Sequence, residues 1–309
     1  MLAAGIKEIG GLVEVFELPA PRALRAGEVL IEVEAAGVGN WDEIVRTGGW
    51  DVGISAPMAL GVEAAGTVLA AGGQAGGLAP GDQVLCHSAP LSDQGAWAEL
   101  FIAPAEALAK RPTNVSWAAA GAFPVPALTA EQVLTEALAV RPGDRLLVHG
   151  AGGVTGGAIV QLATLRGLEV IATASSQSAQ RVKSLGAGKV IDYRDETWVQ
   201  QARCLSGGGG VPFVVNALRG GSTAAVAATA DGGRFATITG DPPREERGAS
   251  VANVYVRPDG GQLQTLVELL SQGKLDIQVR SVCNLSEARV ALAKVVDGLR
   301  GGAVVVVPR

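Results

Sequence analysis

The chain has 309 residues, 48% of them hydrophobic and 18% charged, with a formal net charge of −5. That composition supplies a sizeable core, and the mild acidity gives no electrostatic basis for binding nucleic acid or an anionic membrane. The opening MLAAGIKEIGG lacks the apolar h-region of a signal peptide, and no apolar run approaches ~18 residues.

Residues 1–122 read as β-rich. Positions 29–34 (VLIEVE) alternate apolar and acidic side chains, and 66–70 and 83–86 are short strands set apart by glycine or proline. From 124 to 253 strands alternate with helices. The expected strands are 146–148, 170–174, 190–192, 213–216, 235–239 and 251–255, with Gly207 to Gly210 as a short connector. Six parallel strands with helices between most of them make a complete doubly wound sheet. Two further helices (262–271 and 286–296) and a strand (303–307) follow. Because the doubly wound sheet is complete by then, the last strand is expected to return to the first domain. The predicted fold class is therefore α/β. It has a discontinuous β-rich domain, residues 1–122 with 254–309, beside a doubly wound domain, residues 123–253.

The most informative stretch is RLLVHGAGGVTGGAIVQLATLRG at 145–167. Leu146, Leu147 and Val148 form an apolar strand, and the glycine-rich turn 150–156 follows at once. Ile159, Val160, Leu162, Ala163 and Leu165 then recur at helical spacing until Gly167 caps the end. Strand, glycine turn and helix together hold a pyrophosphate on the backbone N–H groups of a helix N-terminus, where the dipole favours negative charge. The spacing Ala151-x-Gly153-x-x-Gly156 is a variant of the dinucleotide fingerprint, weak alone in a chain with 43 glycines. Its place between strand and helix makes it a nucleotide site rather than a plain turn.

The second strand of this domain bears on which nucleotide binds. NADH sites put an acid ~20 residues past the fingerprint, on the ribose 2′-hydroxyl. Here the strand ends in Ser175 and Ser176, with Arg181 following. Glu169 lies at the wrong end, and Asp192 belongs to the next strand. Short hydroxyl donors and a cation suit a 2′-phosphate, so NADPH is the expected cofactor. The alternative is that Ser175, Ser176 and Ser178 only make a turn and helix cap. Cys86, Cys204 and Cys283 are isolated, odd in number and outside any CxxC pair. They read as reduced thiols, so a cytoplasmic protein is expected.

Several motifs in order give the chain a resemblance to the medium-chain dehydrogenase/reductase superfamily. Within it, the chain resembles the zinc-independent, quinone oxidoreductase-like (zeta-crystallin-like) branch. They are GEVLIEVEAAGV at 27–38, ALGVEAAGTVLAAGG at 59–73, PGDQV at 80–84, GAWAELFIAP at 95–104, ALTA at 127–130, VHGAGGVTGGAIVQLA at 148–163, SLGAGKVIDYRD at 184–195, VRPDGGQL at 256–263 and GKLDIQV at 273–279. The resemblance implies a GroES-like catalytic domain completed by the C-terminus, a Rossmann domain, and an active site in the cleft. Zinc-bearing relatives carry a cysteine where this chain has Gly39 and a histidine where it has Val62, and the only histidines are His87 and His149. An open zinc site needs three protein ligands, and no metal is expected.

On the substrate side, quinone reductases of this branch commonly carry Asn directly after Gly-Val, with two tyrosines nearby. This chain reads Gly37-Val38-Gly39-Asn40-Trp41-Asp42, with Ile44 and Trp50 at the matching tyrosine positions. Asn40 is read either as a hydrogen-bond donor or as a turn residue. Trp41 and Trp50 are read as walls of an apolar pocket or as packing, Asp42 as a helix cap, and Tyr255 as a hydroxyl donor or a core residue. On the cofactor side the resemblance assigns Thr129 near the nicotinamide and Ala151, Gly152, Gly153, Val154 and Thr155 to the pyrophosphate. It assigns Ser175, Arg181 and Tyr193 to the adenosine phosphate, and Asn216, Ala217, Thr239 and Gly240 to the nicotinamide half. Arg300 follows where Arg-Gly-Lys is frequent. The implied activity is NADPH-dependent hydride transfer to a small electrophile, a quinone or an α,β-unsaturated carbonyl. An NADPH-binding redox sensor or partner-binding module with little catalysis is the alternative. A homodimer is expected through the apolar edge strand of the Rossmann sheet.

Overall fold

The computed structural model describes residues 1–298 and 302–308. Two compact units emerge, one formed by Met1–Leu128 with Arg257–Arg309 and the other by Thr129–Val256. In the first unit the chain runs through β1 (Leu2–Ile6), β2 (Glu14–Glu17), β3 (Glu28–Val38), α1 (Asn40–Arg46), β4 (Met58–Ala59), β5 (Glu63–Ala71), β6 (Gln83–His87), β7 (Leu100–Pro104), β8 (Leu108–Lys110) and α2 (Trp117–Ala122). Helix α3 (Pro124–Gln132) contains the first division, which falls inside a helix rather than ahead of it. The second unit holds β9 (Arg145–His149), α4 (Val154–Leu165), β10 (Glu169–Ala174), α5 (Ser176–Ser184), β11 (Lys189–Asp192), α6 (Trp198–Leu205), β12 (Val211–Asn216), α7 (Ser222–Ala227), β13 (Thr229–Thr237) and β14 (Ser250–Asn253). The chain then adds α8 (Gly260–Ser271), β15 (Val279–Asn284), α9 (Ala288–Val296) and β16 (Ala303–Val307) to the first unit.

Strand β3 is the hub of the first unit. Val29, Ile31 and Val33 are buried while Leu30, Glu32 and Glu34 are only partly covered, the period of a half-buried strand. β5, β7 and β16 all pair with it antiparallel, within a sheet of order β15-β16-β3-β5-β6-β8. A smaller sheet has order β2-β1-β4. Strand β15, which the hydrophobic pattern does not announce, pairs parallel with β16 and buries only Cys283 fully. An edge strand covered on so little of its surface carries no clear alternation.

In the second unit all six strands are parallel, in the order β11-β10-β9-β12-β13-β14. Counted from β9 this is the doubly wound order 3-2-1-4-5-6. Leu147, Ile171, Val214, Phe235, Val226 and Trp198 build one side of its core. Ile159, Val160, Leu162 and Ala163 of α4 are buried, but Leu165 is 46% exposed. At ~100° per residue, Leu165 lies on the face of α4 opposite Ile159 and Ala163, outside the apolar stripe. β13 ends at Thr237 and β14 at Asn253, so Thr239 and Tyr255 lie just past their strands rather than within them. Among the described residues no helix is long and apolar enough to cross a membrane.

His149 closes β9 and joins the sheet to the turn that follows. Its ring stacks on Trp198 at 4.5 Å between centroids, and its Nδ1 is 2.8 Å from Thr173 Oγ1. Burial pushes the imidazole down from 6.5 to about 4. It is therefore neutral in the fold, and its stabilising effect is complete above pH 6.5 and lost as pH falls toward 4, where only the unfolded chain has gained the proton. Urea unfolding across that window should register a loss of about 3 kcal/mol attributable to this residue. His149→Gln should remove that component of the pH slope, and parallel slopes in the two proteins would refute the assignment.

Candidate functional site

The turn after β9 is shaped by close backbone approach. Gly150 sits at φ +88°, and a Cβ on Gly156 would lie 2.3 Å from the Gly150 carbonyl oxygen. Only glycine fits at position 156, so α4 starts tight against the end of β9. Thr173, at the end of the neighbouring strand, fixes the turn twice. Its Oγ1 accepts the Gly150 N–H at 3.1 Å and its carbonyl accepts the Ala151 N–H at 3.0 Å. Gly153 is the N-cap of α4 and no side chain caps the helix. A Cβ on Gly153 would meet nothing closer than the Gly150 carbonyl at 3.6 Å. The Gly153 N–H itself donates to the Gly150 carbonyl at 3.1 Å. A helix N-terminus without a side-chain cap, lined by Gly152, Gly153, Val154 and Thr155, fits a diphosphate.

At the end of β10, Ser175 and Ser178 are buried with their hydroxyls 3.4 Å apart, while Ser176 is exposed. Ser178 also lines the turn, since a Cβ on Gly152 would lie 3.3 Å from its side chain. The Arg181 guanidinium donates to the Gly152 carbonyl oxygen, which draws it onto the glycine turn rather than leaving it solvated. Glu169 stands at the far end of β10, paired with Arg145. The register sets Asp192 of β11 beside Ala174, with its Oδ1 accepting the Arg194 N–H at 3.0 Å. Tyr193 meets the His149 ring edge-on at 6.5 Å, and Arg194 lies over its face.

The ends of β12 and β13 carry a polar cluster that sequence reasoning found only in part. Asn216 Nδ2 lies within hydrogen-bond reach of Ser222 Oγ at 2.8 Å, Thr239 Oγ1 at 2.9 Å and Thr237 Oγ1 at 3.2 Å, and Asn216 Oδ1 accepts the Leu218 N–H. Asn216 and Thr239, assigned to one half of the site, are thus directly bonded. Asp241 gathers the rest. Its Oδ1 accepts from Thr239 at 2.5 Å, Ser222 at 2.8 Å and Thr237 at 3.1 Å, and its Oδ2 accepts the Gly220 N–H at 3.0 Å. Burial alone would raise the Asp241 carboxyl, but these hydroxyl bonds outweigh it and hold the group below its ordinary value. Thr237, Thr239 and Asp241 alternate along the chain, a period-2 polar signal that could have flagged them.

Ala217 sits against the glycine turn, its N–H donating to the His149 carbonyl at 2.8 Å. Gly240, at φ +73°, has the Tyr255 hydroxyl 3.8 Å from where its Cβ would be. Tyr255 is 68% exposed, so it is no core residue; its hydroxyl accepts from Asn253 Nδ2 at 3.2 Å. Thr129 is buried in α3. Arg300 lies outside the described residues.

In the first unit, Asn40, Trp41 and Asp42 open α1. Asn40 is exposed. Trp41 folds back over Gly39, and a Cβ at position 39 would lie 2.2 Å from its indole carbons. The indole thus occupies the space a side chain at position 39 would need, and its Nε1 is buried with no hydrogen-bond partner among the described residues. Asp42 Oδ2 accepts the Gly39 N–H at 2.8 Å, the capping geometry read for it. Burial lifts its carboxyl to about 8. Glu63 is buried as well, accepting the Val125 N–H at 2.7 Å, and its carboxyl stands well above the usual range through burial, with Asp42 adding to the effect. Its Oε1 would lie 2.1 Å from a Cβ at Gly37. His87 Nδ1 is 2.9 Å from the Val62 carbonyl, and burial pushes the Cys86 thiol up to about 12. Trp50 is half-buried beyond α1. Among the described residues no three His, Cys, Asp or Glu side chains gather where they could hold a metal ion.

Comparison with known proteins adds the following. Residues 25–113 match the alcohol dehydrogenase GroES-like domain, and residues 185–306 match the family described as zinc-binding dehydrogenase. The pikromycin polyketide synthase component PikAII of Streptomyces venezuelae is 36% identical over 71% of this chain, but the match spans only 6% of that protein. The quinone oxidoreductase of Pongo abelii is 30% identical over 71% of this chain and 66% of its own. Among solved structures, mycobacterial Rv1454c complexed with NADPH matches over 100% of both chains with a TM-score of 0.88 and 29% identity.

The fit of Trp41 on Gly39 carries its own test. Gly39→Asn should destabilise the protein by about 1–3 kcal/mol, since the new side chain and the indole compete for one volume. Combined with Trp41→Ala, the loss should be clearly less than additive in denaturant unfolding. Full additivity would mean that the indole does not lie there.

Proposed function

Because the chain belongs to the quinone oxidoreductase-like branch of the medium-chain dehydrogenase/reductase superfamily, we propose that it is an NADPH-dependent reductase. Its acceptor is a quinone or an α,β-unsaturated carbonyl, and no zinc takes part. The observation that carries the cofactor reading is the open, glycine-lined N-terminus of α4 at the end of the first strand of a 3-2-1-4-5-6 sheet. The N–H groups of Gly152, Val154 and Thr155 hold the diphosphate, while the Gly153 N–H closes the turn on the Gly150 carbonyl at 3.1 Å. Ser175 and Ser178, with Arg181 drawn onto the turn, favour a 2′-phosphate, and Asn216, Ala217, Thr239 and Gly240 receive the nicotinamide half. The bound cofactor supplies the hydride. Positioning and exclusion of water are the protein's part of the chemistry.

Quinones and enones suit a site without a Lewis acid because they accept hydride readily. Gly39 and Val62 provide no metal ligands, which supports that reading. Trp41, Asn40 and Trp50 are the side chains assigned to the acceptor. The thiols of Cys86, Cys204 and Cys283 are unpaired, which suits a cytoplasmic setting.

Nicotinamide-fluorescence titration should find NADPH bound at least about tenfold more tightly than NADH, roughly 1.4 kcal/mol. Arg181→Ala should narrow that gap. Protein dialysed against a chelator should still oxidise NADPH with members of a quinone and enone panel. Equal affinities would refute the cofactor choice, activity lost with removal of stoichiometric zinc would refute the metal-free reading, and NADPH binding without turnover on any acceptor would favour the sensor reading.

β14 lies at the edge of the Rossmann sheet and is only partly covered. Pairing of two such edges about a two-fold axis would remove the exposed strand and close a homodimer. Light scattering of a dilute sample should give twice the 31.2 kDa chain mass. The mass of a single chain would refute the dimer, and Asn253→Pro should weaken assembly before it affects cofactor binding.

A further inference from the structure

Asp241 is the convergence point of the polar cluster described above, and its surroundings are unusual in one respect. Four donors reach it, the hydroxyls of Ser222, Thr237 and Thr239 and the N–H of Gly220, and every one of them is neutral. Among the described residues no lysine or arginine pairs with this carboxylate. Neutral donors secure an anion in place without cancelling its charge, whereas an ion pair would neutralise much of its field. The donors come from separate segments: Gly220 from the β12–α7 connection, Ser222 from the first turn of α7, Thr237 from the end of β13, and Thr239 from just beyond it. The negative charge is therefore fixed to the sheet itself, at the carboxyl ends of β12 and β13. In a doubly wound dinucleotide fold the adenosine half binds over the first three strands and the nicotinamide half over the last three.

We propose that Asp241 sets the redox balance of the bound cofactor by stabilising the oxidised nicotinamide over the reduced one, an inference that rests on the NADPH-binding reading above. Hydride transfer carries one proton and an electron pair to the acceptor and leaves one positive charge on the nicotinamide ring. A fixed anion at that edge of the sheet interacts more favourably with the cationic ring than with the neutral one, so it favours hydride donation. By linkage the same interaction appears as tighter binding of NADP+ relative to NADPH. Asp241 bonds Thr239 directly and reaches Asn216 only through the hydroxyls of Ser222, Thr237 and Thr239, so it positions these side chains as well as carrying a charge.

The test uses the full chain and compares dissociation constants for NADPH and NADP+. Asp241→Asn should weaken NADP+ about tenfold while changing NADPH by less than about threefold. Asp241→Glu, which keeps the charge, and Thr239→Val, which removes a donor but not the charge, should both keep the wild-type ratio of the two constants. Asp241→Ser serves as a second neutral variant, and a cofactor-free melting curve identifies any variant that has not folded. A neutral variant that weakens both forms equally, or leaves both unchanged, overturns the proposal and reduces Asp241 to a structural cap. Wild-type protein that binds neither form would overturn the cofactor reading itself, an outcome seen before any variant is made.

Discussion

Everything at the candidate cofactor site depends on how closely α4 can approach the end of β9. The Gly150 carbonyl occupies the space where a side chain at position 156 would stand, so the helix axis starts at the strand rather than beside it. Thr173 then ties the turn to the second strand through its hydroxyl and its carbonyl together. A helix N-terminus held that rigidly, with no side chain of its own to cap it, has its first N–H groups directed outward and pre-organised for an anion. His149 and Trp198 secure the same junction from below by stacking. Arg181 adds a third tie through the Gly152 carbonyl. Binding surface and structural support are therefore one set of residues, and changes to either are felt by both.

The first unit meets a different constraint. Two buried carboxyl groups, Asp42 and Glu63, stand near enough for one to act on the other. Among the described residues their hydrogen bonds come from backbone N–H groups, while Asp42 Oδ1 has no partner. Burial raises both, because an ionised pair in such surroundings would be costly, so at neutral pH a proton is held there. Around them, the positions at which zinc-bearing relatives place ligands are filled with apolar or small residues. Val62 is buried and Gly39 is covered by the Trp41 indole. The space that a side chain at position 39 would need is filled by the one two residues on, in the first turn of α1. The packing at position 39 is a local matter, settled within the first turn of α1.

The polar cluster at β12 and β13 sits between these two regimes. It is neither an apolar core nor an ion pair, but a carboxylate retained by buried or half-buried hydroxyls and by the N–H of the exposed Gly220. Such a network is stable only if nearly every donor finds an acceptor, and here Asn216, Ser222, Thr237, Thr239 and Asp241 satisfy one another. Its rigidity fixes the carboxyl ends of β12 and β13.

By itself the sequence determined the α/β class, the six-stranded nucleotide fold and the location of the glycine turn. Each rests on a local pattern: an apolar run, a glycine spacing, a helical period. It also bounds the side chains available for ligation, with only two histidines and three scattered cysteines. Strand β15 and the short strands β1, β2, β4, β7 and β8 were not legible: β2, β4, β8 and β15 lie at sheet edges and are defined by their partners, while β1 and β7 are short runs without a polar–apolar alternation to mark them. Only the tertiary structure decided that Trp41 covers Gly39, that Tyr255 is exposed, that Arg181 turns onto Gly152, and that Asp241 gathers three hydroxyls. Those facts depend on the direction of a side chain and on contacts between segments up to 29 residues apart. No periodicity along the chain encodes them, since a side chain's direction is set by the neighbours the fold brings to it.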